Sequence, residues 1–379
     1  MKAKIKTKTL LTILQNLIKV VPTKSPTPIL EDVILSASTL GVSILASDLE
    51  TSVCSSIPAG EEADAEALEH GSAAIPARLL LEIVKQVEDE SIQITTGETS
   101  AEIAWSQGRS SIPVFDPDDF PEVKLSIEEG KDLEIPSEKL VDAINATLYA
   151  VGDDQIRLVL NGIFFDATPE GLTLVSSDSH RLALHTIPSV TVTEATSFIL
   201  HKRNASMIKA FADQSENIHI RLDGEYATFQ AGNTTIGVRS ITGRYPLYRN
   251  VLPKDNTNIL TADPKVLAAV VKRVQVCSNK MSNLIKLKII PDTTGAVLEI
   301  TAEDFGCSTT AYEKIGVDYS GDPLTIGFKG AFLLDLLNSF GDETIKISFA
   351  DERRAVLAEP EENPEEAHSS AVLMPVMTS

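Results

Sequence analysis

Along the chain, apolar residues recur at three- and four-residue spacing in six stretches, with polar residues filling the positions between. Thr7 to Val21 places Leu10, Leu11, Leu14, Leu17, Ile18 and Val21 on one face and Lys8, Thr12, Gln15 and Lys19 on the other, which predicts an amphipathic helix. Ser137 to Val151 repeats the design with Leu140, Val141, Ile144 and Leu148 inward. A third copy follows Asp263 and Pro264, a good N-cap and first-turn pair, with Val266, Leu267, Val270 and Val271 inward. Leu10, Leu140 and Val266 are separated by 130 and 126 positions.

Each of these helices precedes strand-like sequence that ends on an aspartate, and Asp48, Asp178 and Asp304 keep the same separations of 130 and 126. A second helix is predicted in each copy at Pro76–Val87, Lys202–Phe211 and Lys329–Phe340, followed by alternating strands that begin near Ser91, Asn217 and Thr344. Three anchors in one register over three copies predict a threefold repeat of about 125 residues. The acidic stretch Gly60 to Gly71 reads as a lengthened loop in the first copy, and Asp116–Gly130 and Leu252–Asn258 read as linkers. The expected domains are residues 1–125, 126–253 and 254–379, of α+β class, each with two helices against antiparallel sheets.

In the middle copy, Arg157 to Leu184 reads as two strands around a Pro169-Glu170-Gly171 turn, then a polar cluster from Ser176 to Arg181. Asp178, Ser179 and His180 supply the residue types of a hydrolase triad. As neighbours on an extended segment they point alternately to opposite sides, and no nucleophile elbow, P-loop, dinucleotide fingerprint or metal-spaced His/Cys/Asp set accompanies them. A catalytic role for Asp178 and His180 is therefore the weakest of three readings. A purely structural assembly protein is the second.

Composition narrows the choice further. The formal net charge is −21, and each third of the chain carries more acid than base, which argues against diffuse affinity for nucleic acid without excluding a local basic surface. Lysine and arginine recur on the helices of all three copies, mostly opposite the apolar stripe, so the helices are candidates for that surface. Three scattered cysteines predict neither disulfides nor a zinc site and fit a reducing cytoplasm. No run of 18 apolar residues occurs, so a membrane span is not expected, and the N-terminus reads as mature sequence.

The threefold repeat, together with RLVLNGIFF, SSDSHRLAL (176–184), GRYPLYRNVLP (243–253) and AVLMPV (371–376), resembles the bacterial sliding clamp family, the β subunits of DNA polymerase III. That resemblance implies three clamp domains per protomer and a head-to-tail homodimer closed into a ring around double-stranded DNA, without sequence readout, catalysis, metal or cofactor. It implies partners that dock by short apolar peptides: the polymerase III α subunit, the clamp loader, and other polymerases and repair proteins. Lys24, Arg78, Arg157, Lys202 and Arg203 fall at basic family positions near the DNA.

The resemblance also implies a peptide groove formed by Leu160, Ser177, His180, Arg181, Leu182, Pro246, Val251, Val372, Met374, Pro375 and Val376. Methionine and valine give such a groove an adaptable apolar surface, and proline stiffens its edge. Four features depart from the family pattern. Leu158 and Val159 stand where tyrosine is frequent, Ser179 replaces a glycine, Asn250 replaces a basic residue, and the chain ends Met377-Thr378-Ser379.

Overall fold

The computed structural model describes all residues except 61–62, 213, 293–294, 363–365 and 378–379. Among the described residues, six helices alternate with antiparallel strands: Thr7–Leu17 (α1), Ala77–Val84 (α2), Ser137–Leu148 (α3), Lys202–Ala212 (α4), Pro264–Gln275 (α5) and Gly330–Ser339 (α6). Each odd-numbered helix grows directly from a strand, so its first N–H groups need acceptors from elsewhere. Thr7 N–H donates to the Glu90 carbonyl (2.9 Å) and Ser137 N–H to the Glu216 carbonyl (2.8 Å), a pair related by the repeat. The third copy uses a side chain instead: the Asp263 carboxylate accepts from the N–H groups of Lys265 and Val266.

The buried faces follow the apolar spacing. Leu10, Leu14 and Leu17 are inside on α1, Leu140, Ala143 and Ile144 on α3, and Leu267, Val270, Val271 and Val274 on α5. Val266 does not point inward as expected; it is 51% exposed. Its neighbour Leu267 is the true counterpart of Leu10 and Leu140, because α5 starts 127 rather than 126 positions after α3. A single-residue offset turns a helical side chain by about 100° and moves it off the buried stripe.

The acidic stretch after Gly60 is not one loop. Ala65–Glu69 is a strand paired antiparallel with Lys2–Lys6, and Gly71–Pro76 is the next strand. Alternating short side chains suffice for an edge strand, and Asp64 anchors its start to Lys6 (2.6 Å) and Thr9 (2.6 Å). Glu61 and Glu62 of that expected loop lie outside the described residues.

The chain divides into two compact units, Met1–Leu140 with Arg203–Ser240, and Val141–Lys202 with Ile241–Ser379. The first holds a five-stranded sheet and an eight-stranded sheet. In the latter, the first-copy strand Thr51–Pro58 pairs with the middle-copy strand Thr234–Arg239, Ser52 opposite Gly237. The second unit holds one twelve-stranded sheet in which Arg181–Ile187 pairs with His368–Leu373, Leu182 opposite Val372. Its core packs α5 and α6 on that sheet through side chains such as Leu267, Val271, Leu298, Ile300, Phe328 and Leu336. Each of these contributes about 1.5–3 kcal/mol of burial.

The predicted aspartates have a structural task. One oxygen of Asp48 accepts the N–H groups of Glu50 and Thr51, one of Asp178 those of His180 and Arg181, and one of Asp304 those of Gly306 and Cys307. All three are Asx turns that reverse the chain between neighbouring strands.

At the seam between Arg181–Ile187 and His368–Leu373, His185 is buried and its Nδ1 lies 2.8 Å from the Ser369 hydroxyl. Burial, then the nearby His368, pushes its imidazole down to about 4. The folded state therefore excludes a proton that the unfolded chain takes up near pH 6.5, so stability is complete above that value and falls as the pH drops toward about 4. Urea unfolding should show the native protein losing about 2 kcal/mol more than His185→Gln between pH 7 and pH 5. Parallel losses in the two proteins would assign the proton uptake elsewhere.

Candidate functional site

The second unit contains a cavity of about 430 Å³ bordered by Arg157, Val159, Leu160, Ser177, Ser179, His180, Arg181, Leu182, Arg244, Tyr245, Pro246, Tyr248, Val251, Val372 and Met374. Its floor is the strand seam, where Leu182 and Val372 are opposite one another and buried with Leu160. Its rim carries exposed apolar groups, Val251 at 50% and Met374 at 42%. An apolar floor with a half-exposed apolar rim suits a short extended segment with two or three large side chains.

One wall is Leu158–Asn161, a 3-10 turn rather than the start of a strand. Asp154 builds it by accepting from the N–H groups of Ile156 and Arg157, and Asn161 closes it by exchanging hydrogen bonds with the Asp154 backbone. Those two backbone bonds and the Arg157 side chain hold the Asp154 carboxyl down to about 2. The facing wall is the segment from Gly243 to Asn250. Tyr245 stacks on Phe164 with centroids 4.7 Å apart, and the Tyr248 hydroxyl donates to Asp166 at 2.7 Å. Burial and that carboxylate push the Tyr248 phenol up to about 12, so it stays a donor.

The remaining wall begins at the Asp178 turn. Arg181 is spread over several partners: Asp178 at 2.9 Å, Asp335 of α6 at 2.6 Å, and the Phe332 ring 4.4 Å from its guanidinium carbon. It therefore fixes the turn against α6 more than it offers a free charge. Among the described residues, no hydrogen bond joins Asp178 to the His180 ring or that ring to Ser179; one Asp178 oxygen accepts from backbone N–H groups and the other from Arg181. The hydrolase arrangement is not assembled.

Nine of the eleven groove residues named from sequence border this cavity. Pro375 and Val376 lie outside its lining, and Val376 N–H donates to the Gly327 carbonyl at 2.8 Å. Thr378 and Ser379 fall outside the described residues. Tyr245 and Tyr248 border the cavity without being among the residues expected there, although GRYPLYRNVLP contains both; their three-residue spacing with a proline between is the signal in the sequence.

The five basic residues are held in different ways. Arg157 pairs with Asp154 at 2.7 Å, Lys202 lies 3.6 Å from Asp153, and Arg203 pairs with Asp48 at 2.7 Å while donating to the Lys19 carbonyl. Arg78 donates to the Val21 carbonyl and the Thr23 hydroxyl. Lys24 is exposed and makes no hydrogen bond or ion pair among the described residues. Those residues contain no group of three His, Cys, Asp or Glu placed to hold a metal, and no helix long and apolar enough to cross a membrane.

Three family models match the chain in order: the N-terminal domain of the DNA polymerase III beta subunit over residues 1–124, its central domain over 134–247, and its C-terminal domain over 249–377. The beta sliding clamp of Caulobacter vibrioides is 28% identical over 360 residues, covering 93% of this chain and 94% of that protein. That of Synechococcus elongatus is 26% identical and covers 90% and 91%. Among solved structures, the DNA polymerase sliding clamp of Bacillus subtilis superimposes with a TM-score of 0.92 at 24% identity, covering all of both chains. The Caulobacter crescentus beta sliding clamp does so at 0.90 and 27%, again covering both fully.

Ser179 occupies the left-handed region, φ 77°, at the tip of the groove turn. A serine there is strained where a glycine is not, so Ser179→Gly should raise unfolding stability by about 1 kcal/mol. Thermal denaturation checks it, and an unchanged or lowered Tm would show that the turn carries no strain.

Proposed function

We infer that this chain, which belongs to the DNA polymerase III beta subunit family, is a DNA sliding clamp: a non-catalytic processivity factor that encircles duplex DNA and tethers the polymerase. The observation that carries the reading is the match of all three family domains in order along the chain. The domains we assign are 1–125, 126–253 and 254–379, and the protein acts in the cytoplasm.

Ring closure has an explanation in the repeat itself. Twice within the chain, a strand that leaves an Asp turn pairs with the last strand of the following copy, with Ser52 opposite Gly237 and Leu182 opposite Val372. The remaining members of these two sets are Thr309–Ser320 and Gly108–Pro113. Over Thr309–Val317 the outer edge has no strand partner among the described residues, and neither has the outer edge of Gly108–Pro113. Open edges of this kind recruit another strand. The same register applied between two protomers places Thr310 opposite Ser111, head to tail.

Side chains agree with that closure. Val276 stands at the position of Tyr149, which packs against the core of the following copy, yet Val276 is 83% exposed. Phe305, beside the third Asp turn, is 84% exposed. A second protomer covers both, and two protomers of three domains complete a six-domain ring.

Lys24, Arg78, Arg157, Lys202 and Arg203 are assigned to the DNA-facing side. Arginines that already hold a carboxylate compete weakly for phosphate, which suits a ring that must slide. The cavity over the Leu182–Val372 seam is assigned to short apolar peptides of the polymerase α subunit, the clamp loader and other polymerases and repair proteins. Leu160, Ser177, His180, Arg181, Leu182, Pro246, Val251, Val372 and Met374 line it, and Pro375 and Val376 continue its edge.

Loaded onto nicked circular DNA, the protein should remain bound through gel filtration and be lost after the circle is cut once. Equal retention on circle and linear DNA would overturn topological binding. Cysteines placed together at Ser111 and Thr310 should form a covalent dimer near twice 40.9 kDa on oxidation, absent from either single variant. A monomer on non-reducing gels from the double variant would refute the head-to-tail register.

A further inference from the structure

The segment from Gly243 to Asn250 has two lined faces, and only one belongs to the groove. On the other a cavity of about 700 Å³ opens beside Phe164, Ser197 and Leu247, with the paired Asp166 and Arg249 also bordering it. Arg244, Tyr245, Pro246 and Tyr248 border both cavities, so the two are adjoining compartments with a shared wall. The wall is rigid: Tyr245 stacks on Phe164 and Tyr248 is hydrogen-bonded to Asp166. Leu247, 63% exposed, lies on the far side of it.

The arginines of this region differ in what they already hold. Arg157 is paired with Asp154, Arg181 with Asp178 and Asp335, and Arg249 with Asp166. Arg244 is exposed and makes no hydrogen bond or ion pair among the described residues. Its charge stands at the lip where one compartment passes into the other, and the carboxylate in the second compartment, Asp166, is already held by Arg249 and the Tyr248 hydroxyl. A planar guanidinium in that position matches a carboxylate in two-point geometry.

We propose that Arg244 is a specificity-determining residue of the peptide groove, pairing with a carboxylate that flanks the apolar residues of a bound segment. An apolar side chain one step beyond that carboxylate settles against Phe164 and Leu247 in the second compartment. The ligand class is an apolar peptide with an acidic–apolar extension. The proposal rests on the groove being a peptide site, and it goes beyond that reading by naming the charge and length of what binds there.

Fluorescence anisotropy with labelled peptides separates the two claims. The core probe is Ala-Leu-Ala-Leu-Phe. The extended probes add Gly-Asp-Leu after it or Leu-Asp-Gly before it, each beside a twin with Asn in place of Asp. One acidic extension should bind about three- to fivefold tighter than its Asn twin. Arg244→Gln should bring the ratio of acidic to Asn-twin affinity to about one, and Arg244→Glu should reverse it. If the core probe binds the native protein while neither acidic extension exceeds its twin, or if Arg244→Gln leaves the ratio of acidic to Asn-twin affinity unchanged, the role of Arg244 is overturned. If the core probe fails to bind, the groove assignment falls, and this proposal with it.

Discussion

Pairing between strand edges of successive copies is the constraint on which the rest of this structure depends. Within the first unit, the five residues from Thr51 to Ser55 pair with Thr234–Val238; within the second, Arg181–Thr186 pairs with His368–Leu373. Each seam satisfies backbone N–H and C=O groups that an isolated copy leaves to water, and so turns three separate domains into continuous sheets. The Asx turns at Asp48, Asp178 and Asp304 set where the paired strands begin, so a turn that reads as chemistry in sequence is a device of register. Among the described residues, edges of the same kind stay open on Thr309–Val317 and Gly108–Pro113, as any linear array of copies joined in this way requires.

The groove is a product of the seam between the middle and last copies. Leu182 and Val372 are cross-strand neighbours on the buried face, so the cavity floor exists only where two copies meet. Its walls set side chains particular to the middle copy on turns that the repeat shares: the 3-10 turn Leu158–Asn161 has a counterpart at Pro28–Glu31, and the Asp178 turn has counterparts at Asp48 and Asp304. The Arg181 guanidinium, between Asp178, Asp335 and the Phe332 ring, has no equivalent at Thr51, whose hydroxyl instead donates to Asn204. A repeated scaffold therefore supplies the floor and the turns of the walls, and individual side chains distinguish this seam from the other.

What was legible in the sequence was periodic. Leu10, Leu14 and Leu140 occupy buried helical stripes because burial and spacing are tied by the same geometry, and the Pro169-Glu170-Gly171 turn separates the two strands expected around it. Val266 is exposed where Leu267 is buried because the adjacent valine and leucine both fit the stripe within one position, and only the helix start decides between them. The strand Ala65–Glu69 was hidden by its composition: an edge strand buries little, so acid and alanine serve. Tyr245 and Tyr248 gain their roles from Phe164 and Asp166, some eighty residues away, which no local pattern encodes.

Electrostatics explains how a chain of net charge −21 serves DNA. Long-range attraction is unavailable to it, and beyond about 8–10 Å salt screens what remains. Of the cations proposed for the DNA side, Arg157 and Arg203 each carry a carboxylate 2.7 Å away, so under that proposal a phosphate displaces an existing partner to gain either one. Exchanging a carboxylate for a phosphate gains less than pairing a free cation does, which favours motion along the duplex over trapping at one position. Tight retention must then come from closure of the ring rather than from affinity, which transfers the whole burden of residence time to the strand edges that join one protomer to the next.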